Sequence, residues 1–452
     1  MTQHSLSQPH PGSADGPPRF DCPAGTVIAR RDGDLIRATG IRYAGAARFE
    51  RPCPEPPAAE PVLAITPAPA CPQPPDPITQ RIVGPYRAGV AYDEHCQRLS
   101  VTLPADLGPD ERLPVMVWIH GGAYTNGVAD TPAYDPAALV REQRVIVVAV
   151  TYRLGLFGYL GHADRPANLG LYDQIEALRW IQRNIESFGG DPGSVTLFGE
   201  SAGGDAVAHL MIADGTRGLF RRAIIQSAPL GVWRGREAMT RDMARAAESL
   251  DLTLDAEQVL AALPEVAAQA APHGLKAAMA FSVQYGHEPL PPESEVYQAW
   301  TEAARDIDVL IGRTSREAAF YVDSLPPFAK LVRIPFAGRL LRPVLVSLLT
   351  WLVFGRGMTR LVRRMKRGGG RIHRYTVTWG ARDNPLRAAH AADVPLLFPH
   401  REAWTGAALL GGLPMDQVER DGRPVRALWA EFARTGTLPD TTVPGVITVR
   451  RA

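Results

Sequence analysis

The middle of the chain alternates between uninterrupted apolar runs and a segment with helical periodicity. Residues 115–119 (VMVWI) and 145–151 (VIVVAVT) contain almost no polar side chain, which is typical of parallel strands covered on both faces. Between 172 and 187, isoleucine and leucine recur every three or four residues, and the glycines and proline that follow end this helix. The pattern predicts two buried strands followed by an amphipathic helix.

Four more short runs have the composition of strands. They lie at 195–198, 223–227, 307–312 and 374–379. Strands that alternate with helices over this length predict an α/β fold, a doubly wound and mostly parallel sheet with helices on both faces.

The ends of the chain suggest one large domain behind a short tail. Residues 1–20 are polar and rich in Pro, Ser and Gly, and they lack the apolar core of a secretory signal. We therefore expect a disordered tail over 1–20, a single domain over 21–452 and a cytoplasmic location.

Charge and cysteine spacing exclude several classes of function. The 49 basic and 47 acidic residues leave a net charge of +2, which is too small to predict a nucleic-acid partner. Cys22, Cys53, Cys71 and Cys96 include no CxxC pair, so we expect no zinc or redox site. No metal or organic cofactor is expected.

Residues 199–203 (GESAG) place one hydroxyl, that of Ser201, between two glycines directly after the strand at 195–198. A nucleophile elbow needs a strand, a sharp turn with small neighbours and then a helix, and DAVAHLMI supplies the helix. The alternative interpretation of this motif is a tight turn with no chemical role.

A second glycine motif follows the strand at 115–119. In HGGAY (120–124), the backbone N–H groups of Gly121 and Gly122 can approach a substrate oxygen closely. Together with the amide of Ala202 they predict an oxyanion hole with three donors. The alternative is a glycine loop that serves only as a turn.

These motifs and several longer stretches resemble the type-B carboxylesterases, the family that also contains the cholinesterases. The matching stretches include VMVWIHGGAYTNG (115–127), residues 168–204, AIIQSAP (223–229), IGRTSREAAF (311–320) and HAADVPLLF (390–398). The resemblance runs from about residue 24 to 440 and implies an α/β-hydrolase fold with a helical cap, here an insertion at about 324–370.

The resemblance implies a catalytic triad of Ser201, Glu317 and His390. The implied reaction is hydrolysis of a small carboxylic ester through an acyl-enzyme, because an imidazole activates the serine and a carboxylate orients the imidazole. The competing functions are a catalytically silent binding protein on the same fold and a lipase that acts on membrane-borne esters.

Other residues compete for two of the triad positions. Asp323 is the reserve candidate for the acid, and His373 and His400 are the other candidates for the base. His373 lies in a predicted strand and His400 lies beyond the family motif, which favours His390.

The same resemblance implies supporting residues around the triad. Glu200 and Ser227 match positions that form hydrogen bonds behind the nucleophile. Aromatic candidates for the acyl or alcohol pocket are Tyr124, Trp233, Tyr285 and Phe320.

The stretch from Cys71 to Cys96 resembles the first disulfide loop of the family but contains no tryptophan. Recognition of a quaternary ammonium ligand needs an aromatic cage, so cholinesterase specificity is not expected. The family match places the two cysteines near each other, and a reducing compartment predicts that they remain thiols.

The most individual stretch is 324–382, which contains thirteen Lys and Arg residues and no Asp or Glu. Pro343 and Gly355 bracket a run of 11 residues, VLVSLLTWLVF. As a helix this run would reach only about 16 Å, short of a bilayer core of about 30 Å, which argues against a transmembrane span. Two interpretations remain open for 330–370: a cap buried over the active site, and an interfacial lid that makes peripheral contact with an anionic membrane.

Overall fold

The structure is a computed structural model that describes residues 16–161, 165–248, 250–251, 253–324 and 328–452. Most of the tail predicted over 1–20 lies outside the described residues. The end of that range is a correction, because Arg19–Cys22 forms a strand that pairs with Gly25–Ile28.

The strands of the described chain are numbered in chain order. They are β1 Arg19–Cys22, β2 Gly25–Ile28, β3 Arg30–Asp32, β4 Leu35–Arg42, β5 Ala44–Gly45, β6 Cys53–Pro54, β7 Val62–Leu63, β8 Arg98–Pro104, β9 Leu113–Ile119, β10 Ile146–Thr151, β11 Gly190–Glu200, β12 Arg222–Gln226, β13 Asp308–Thr314, β14 Ile372–Val377, β15 Thr441–Val443 and β16 Ile447–Arg451.

The helices of the described chain are numbered in the same way. The α-helices are α1 Pro77–Val83, α2 Ala137–Gln143, α3 Gly155–Gly158, α4 Leu169–Asn184, α5 Ala202–Leu210, α6 Glu237–Glu248, α7 Ala256–Ala268, α8 Val296–Ala303, α9 Phe328–Val332, α10 Ala337–Leu349, α11 Arg356–Arg367, α12 Val394–Leu397, α13 Arg401–Trp404 and α14 Met415–Thr435. The 3₁₀ segments are Pro132–Tyr134, Ile185–Phe188, Ala271–Met279, Glu317–Phe320 and Ala408–Leu410, and a π-helical segment spans Thr350–Gly355.

One large mixed sheet organises the fold. Its strand order in the described chain is β15-β16-β14-β13-β12-β11-β9-β10-β8-β4-β3. The six strands from β14 to β10 are mutually parallel, and the strands outside them pair antiparallel. The predicted α/β class is confirmed, and the parallel arrangement holds for the six central strands of this mixed sheet.

Both faces of the central strands are buried, which explains their unbroken apolar sequence. In β9, Val115 and Val117 belong to one hydrophobic cluster, whereas Met116 and Trp118 belong to the cluster on the opposite face. Successive side chains of a strand point to opposite faces, so a strand covered by helices on both sides needs apolar residues throughout.

The helix over the apolar run of 324–382 differs from the expectation. Pro343 lies inside α10 and does not begin it, and the helix continues through Gly355, so Ala337–Arg367 is one helical segment of 31 residues. The argument from an 11-residue length is therefore wrong. By length and composition this segment could cross a membrane, with a mean hydropathy of 1.5 in its most apolar window. We call Ala337–Arg367 the roof helix.

The π-helical segment of the roof helix contacts the loop that follows β12. The carbonyl of Val353 accepts a hydrogen bond from the N–H of Gly231 at 2.6 Å, and the Arg356 guanidinium donates to the carbonyl of Gly231 at 2.7 Å. A π-helical turn changes the carbonyl pairing within a helix. Here the roof helix is hydrogen-bonded to the loop after β12 at Gly231.

The four cysteines are all free thiols. Cys71 and Cys96 are fully buried, and burial followed by contact with Cys71 raises the pKa of the Cys96 thiol well above its usual range. Cys53 is exposed, and burial also raises the pKa of the half-buried Cys22. A thiol reacts through its thiolate, so burial protects both Cys71 and Cys96, and the raised pKa protects Cys96 further.

We expect thiol titration to separate these groups. Freshly isolated protein without added reductant should give four thiols after denaturation, and the folded protein should react rapidly only at the exposed Cys53. Cys53→Ser should remove the rapid phase. Two thiols in place of four after denaturation would show that a disulfide is present and would contradict this assignment.

Candidate active site

The sequence motifs converge on one edge of the sheet. Parallel strands end at the same edge, and the register pairs the last residues of β9, β11 and β12 with one another: Gly199 with Ile119, and Glu200 with Gln226. The segments that leave β9, β11 and β13 at this edge begin with His120, Ser201 and Ser315 respectively. This edge is the usual location of a ligand site in an open α/β sheet.

Ser201 occupies a sharp turn between β11 and α5. Its backbone has φ +59° and ψ −124°, a conformation that non-glycine residues rarely adopt. The turn requires a glycine at 203, because a Cβ there would lie 2.0 Å from the carbonyl oxygen of Ile119. The geometry is that of the strained elbow predicted from GESAG.

The glycine loop after β9 lies directly against this elbow. A Cβ built on Gly121 would lie 3.1 Å from the Cβ of Ser201. The N–H groups of Gly121, Gly122 and Ala202 have no backbone acceptor among the described residues, whereas the N–H of Ser201 donates to Gln226 at 2.9 Å. Three N–H donors near the serine are therefore without a backbone acceptor in the described chain, and Gly121 and Gly122 line the same cavity as Ser201.

Tyr124 holds this glycine loop in place. Its hydroxyl donates to Asp205 Oδ2 on α5 at 2.8 Å, and its carbonyl accepts from the N–H of Gly155 at 2.7 Å. Burial, and then the Asp205 carboxylate, raise the pKa of Tyr124 well above its usual range. The tyrosine stays protonated and ties the loop to the helix behind Ser201.

His390 and Glu317 form a buried pair. Nδ1 of His390 lies 2.6 Å from Glu317 Oε2, and the other carboxylate oxygen accepts from the N–H of Thr314 at 2.7 Å. Since the carboxylate accepts, Nδ1 carries the proton and the imidazole presents Nε2 on its other side. The His390 N–H also donates to the Glu317 carbonyl at 3.2 Å, which fixes the two backbones.

Glu200 faces the free side of the same imidazole. Its Oε1 lies 3.1 Å from His390 Nε2 but outside hydrogen-bond geometry, so neither atom has a hydrogen-bond partner in the described chain. Burial opposes a charge on His390, but the carboxylates of Glu200 and Glu317 outweigh it and raise the His390 pKa. Burial raises the pKa of Glu200 as well.

Asp393 is a third buried carboxyl in this region. It is fully buried and accepts a hydrogen bond from the Gln226 side chain at 2.8 Å, and Gln226 in turn accepts from the Trp429 indole at 3.1 Å. Burial raises the pKa of Asp393 to about 6. Sequence reasoning missed this residue, although it stands three positions after His390 in the quoted HAAD motif.

The competing candidates lie in other surroundings. Asp323 forms an ion pair with Arg342 at 2.7 Å and is largely exposed. His373 lies in strand β14 and accepts a hydrogen bond from the N–H of Leu438. His400 lies 4.0 Å from Asp135. In the described chain, none of the three forms a hydrogen bond, ion pair or ring contact with Ser201 or His390, and none lines the cavity described below.

Ser227 is buried with φ +49°, and its N–H donates to the carbonyl of Gly312 at 2.9 Å. Its hydroxyl has no hydrogen-bond partner among the described residues. The expected bond from this hydroxyl to the triad is therefore not formed in this structure.

A cavity of about 330 Å³ opens above these groups. Its polar wall contains Gly121, Gly122, Glu200, Ser201 and His390. The apolar part of the wall includes Leu275, Met279, Phe328, Leu349 and Phe354. Such a mostly apolar cavity with a few converging polar groups is the usual form of a small-molecule site.

Of the four aromatic pocket candidates, Phe320 lines this cavity. Its ring centroid lies 5.9 Å from that of His390. The other three are a correction: Tyr124 is buried behind the glycine loop, and Trp233 packs against Tyr285 at 5.1 Å in a separate aromatic cluster. Large aromatic side chains fill cores more often than pockets, and their sequence does not record the direction in which they point.

Two aromatic residues of the wall were not anticipated. Tyr321 and Phe354 place their rings 5.4 Å and 5.1 Å from the His390 ring. Tyr321 directly follows the Glu317–Phe320 turn, so its place beside the predicted acid in the sequence could have indicated it. Phe354 comes from the roof helix, and only the folded chain brings it to the site.

Comparison with known proteins gives the family. A family model described as the carboxylesterase family matches residues 29–333. The chain is 36% identical over 433 residues to a probable N-octanoylanthranilate hydrolase of Rhodococcus erythropolis, covering 93% of this chain and 94% of that protein. It is 37% identical over 268 residues to the liver carboxylesterase of Sus scrofa, covering 55% and 46% of the two chains.

Solved structures agree with the sequence matches. A thermophilic PNB esterase superimposes with a TM-score of 0.79 at 26% identity, covering 96% of this chain and 97% of that chain. A carboxylesterase of Geobacillus stearothermophilus superimposes with a TM-score of 0.73 at 26% identity, covering 94% and 92%.

The contact between Glu200 and His390 predicts how removal of the Glu200 charge changes the pKa of His390. In Glu200→Gln, the imidazolium loses a neighbouring carboxylate, so we expect the His390 pKa to fall towards the usual histidine value of about 6.5. NMR titration of protein labelled with ¹⁵N-histidine measures this directly. The exposed Glu60→Gln serves as control and should leave the value unchanged, and an unchanged or higher pKa in Glu200→Gln would contradict the contact.

Proposed function

As a member of the carboxylesterase family this chain is a carboxylic ester hydrolase, and we propose that it acts through an acyl-enzyme formed on Ser201. The observation that carries the proposal is the convergence of a strained serine, a buried imidazole–carboxylate pair and three free N–H donors on one cavity. This constellation is the one that acyl transfer to a serine requires.

In the first step, Ser201 Oγ attacks the ester carbonyl and His390 Nε2 accepts its proton. Two features support this role for His390: Nε2 has no hydrogen-bond partner in the described chain, and Nδ1 is bound to Glu317 at 2.6 Å. The Glu317 carboxylate stabilises the imidazolium that forms, and its second bond, from Thr314, prevents it from turning away.

The negative charge on the carbonyl oxygen is stabilised by the N–H groups of Gly121, Gly122 and Ala202. These donors are held in place before the substrate binds, because the glycine loop packs on the elbow and Tyr124 anchors it to Asp205. Removal of a single such donor costs a factor of about 10² to 10³ in kcat in comparable hydrolases.

The imidazolium then returns its proton to the leaving alcohol, and a water molecule attacks the acyl-enzyme by the same route. His390 again acts as the base and Ser201 Oγ is the leaving group. Glu200, 3.1 Å from Nε2, stabilises the charged imidazole in both steps. The same carboxylate helps to raise the pKa of His390 to about 9, so in the free enzyme it also reduces the fraction of neutral, active base below that pH.

The cavity supports an apolar acyl group of medium length as the substrate portion. Its walls between α9, α10 and the Ala271–Met279 segment are mainly aliphatic and aromatic. The Rhodococcus relative is named for an octanoyl substrate. We therefore include the p-nitroanilide of octanoic acid beside a series of p-nitrophenyl esters from acetyl to dodecanoyl.

We expect Ser201→Ala to lower kcat by about 10⁶-fold on every ester of the series, because no nucleophile remains. The exposed Ser294→Ala is the matched control and should retain full activity. Turnover by wild type that peaks at medium chain length supports the cavity assignment. Activity of Ser201→Ala equal to wild type would refute the mechanism, and absence of turnover in wild type would favour a silent binding protein.

The acid is tested by a pair of amide substitutions. Glu317→Gln should lower kcat on the order of 10⁴-fold, because the amide neither stabilises the imidazolium nor fixes its tautomer. Asp323→Asn changes only the surface pair with Arg342 and should stay within a few-fold of wild type. A larger loss in Asp323→Asn than in Glu317→Gln would reverse the assignment.

A further inference from the structure

The roof helix has two apolar faces with different surroundings. Leu349, Val353 and Phe354 face inward and line the cavity above Ser201. Leu340, Val344, Leu348 and Trp351 face outward and are 76%, 62%, 48% and 55% exposed. Their spacing of four, four and three residues places them on one side of the helix.

Most of the exposed large apolar residues lie on or just before the roof helix. Of twelve such residues in the described chain, eight lie between 331 and 351. The six most exposed of these form what we call the apolar patch: Ile334, Phe336, Leu340, Val344, Leu348 and Trp351. Contiguous exposed apolar surface of this kind marks a contact with another molecule or a membrane.

The surroundings of the patch are positively charged. Residues 324–382 contain thirteen Lys and Arg residues and no acidic residue, although the whole chain has a net charge of only +2. Lys330, Arg333 and Arg339 are exposed beside the patch, and none of them forms an ion pair within the described chain. Arg342 and Arg371 of the same stretch pair with Asp323 and Asp308, so the unpaired cations beside the patch are Lys330, Arg333 and Arg339.

A second cationic feature lies farther along the same helix. Arg360, Arg363, Arg364 and Arg367 recur every three or four residues on α11 and, with Arg234 and Tyr297, enclose a recess of about 290 Å³. Arg364 stacks on the Tyr297 ring at 4.7 Å, and Arg234 pairs with Glu293 at 3.0 Å. The four helix arginines, which we call the arginine cluster, have no ion-pair partner among the described residues. Guanidinium groups arranged in this way suit phosphate oxygens.

The patch does not suit a second copy of this chain. A two-fold interface brings the same surface of both subunits together, so two patches that each carry Lys330, Arg333 and Arg339 would meet without an acidic partner from 324–382. A span across the bilayer is also unsuitable for this fold, because the inner face of the roof helix forms the cavity wall. A phospholipid leaflet matches the chemistry of this surface, because its acyl chains are apolar and its headgroups are anionic.

We propose that the apolar patch and the arginine cluster dock this protein peripherally on an anionic phospholipid membrane. The apolar side chains enter the boundary between headgroups and acyl chains, and the arginines bind lipid phosphates. Docking brings the roof helix, and with it the cavity behind that helix, against the lipid. The binding itself does not depend on the chemistry assigned to Ser201.

The test is cosedimentation with vesicles of phosphatidylcholine that contain about 30% phosphatidylglycerol. Wild type should bind these vesicles, bind pure phosphatidylcholine much more weakly, and dissociate as salt is raised. Trp351 fluorescence should shift to the blue, and the shift should be absent in Trp351→Phe. Equal binding to both vesicle types, or none to either, would overturn the proposal.

Matched variants separate the two parts of the surface. Leu340→Asp should abolish binding, whereas Leu63→Asp, at a residue that is 64% exposed elsewhere, should not. Arg363→Glu with Arg367→Glu should weaken partitioning by at least about tenfold, whereas the exposed Arg305→Glu should not. Circular dichroism and hydrolysis of a soluble acetyl ester verify that each variant is folded. Undiminished vesicle binding by Leu340→Asp would contradict membrane docking. Docking would also be contradicted if wild type formed dimers without binding vesicles and Leu340→Asp converted these dimers to monomers.

Discussion

The close approach of the chain at the carboxyl end of β11 determines the rest of the site. The backbone at Gly203 lies so near the end of β9 that a side chain would meet the Ile119 carbonyl at 2.0 Å. The same close packing surrounds the strained backbone of Ser201, and Gly121 lies against this serine. The parallel sheet then supplies the other groups, since the chain leaves its strands at the same edge. A strained turn of this kind persists only where the surrounding packing determines it.

The second constraint is electrostatic. Glu200, Glu317 and Asp393 are all buried around one imidazole, and burial of several carboxylates without compensation would be costly. The fold meets this cost in three ways. Glu317 accepts two hydrogen bonds, Asp393 accepts one from Gln226 while its pKa rises, and Glu200 lies against His390 with its own pKa raised. The histidine is thereby held in a field that favours its charged form, which is the form that acyl transfer creates.

The sequence predicted the features that follow from local pattern. Runs such as 115–119 indicated buried parallel strands because both of their faces are covered, and the motif resemblance to the carboxylesterases is confirmed by the family match. The direction of a side chain is not a local property, so the resemblance predicts Tyr124 and Trp233 in the pocket, whereas both pack in the core. Pro343 and Gly355 bracket the apolar run in the sequence, but Pro343 lies inside α10 and the helix continues through Gly355. Asp393, at the start of α12, has no sequence signal stronger than its place after His390, because its hydrogen bond comes from Gln226 of the distant strand β12.

The structure of the protein after reaction with an alkyl fluorophosphonate tests the central claim most directly. A phosphonate on the nucleophile imitates the tetrahedral intermediate of ester hydrolysis. The proposed mechanism predicts phosphorus bonded to Ser201 Oγ and the phosphoryl oxygen about 2.7–3.1 Å from the N–H groups of Gly121, Gly122 and Ala202. The alkyl group should lie among the apolar residues of the cavity. A phosphonate on another residue, or a phosphoryl oxygen directed away from these three donors, would contradict the mechanism.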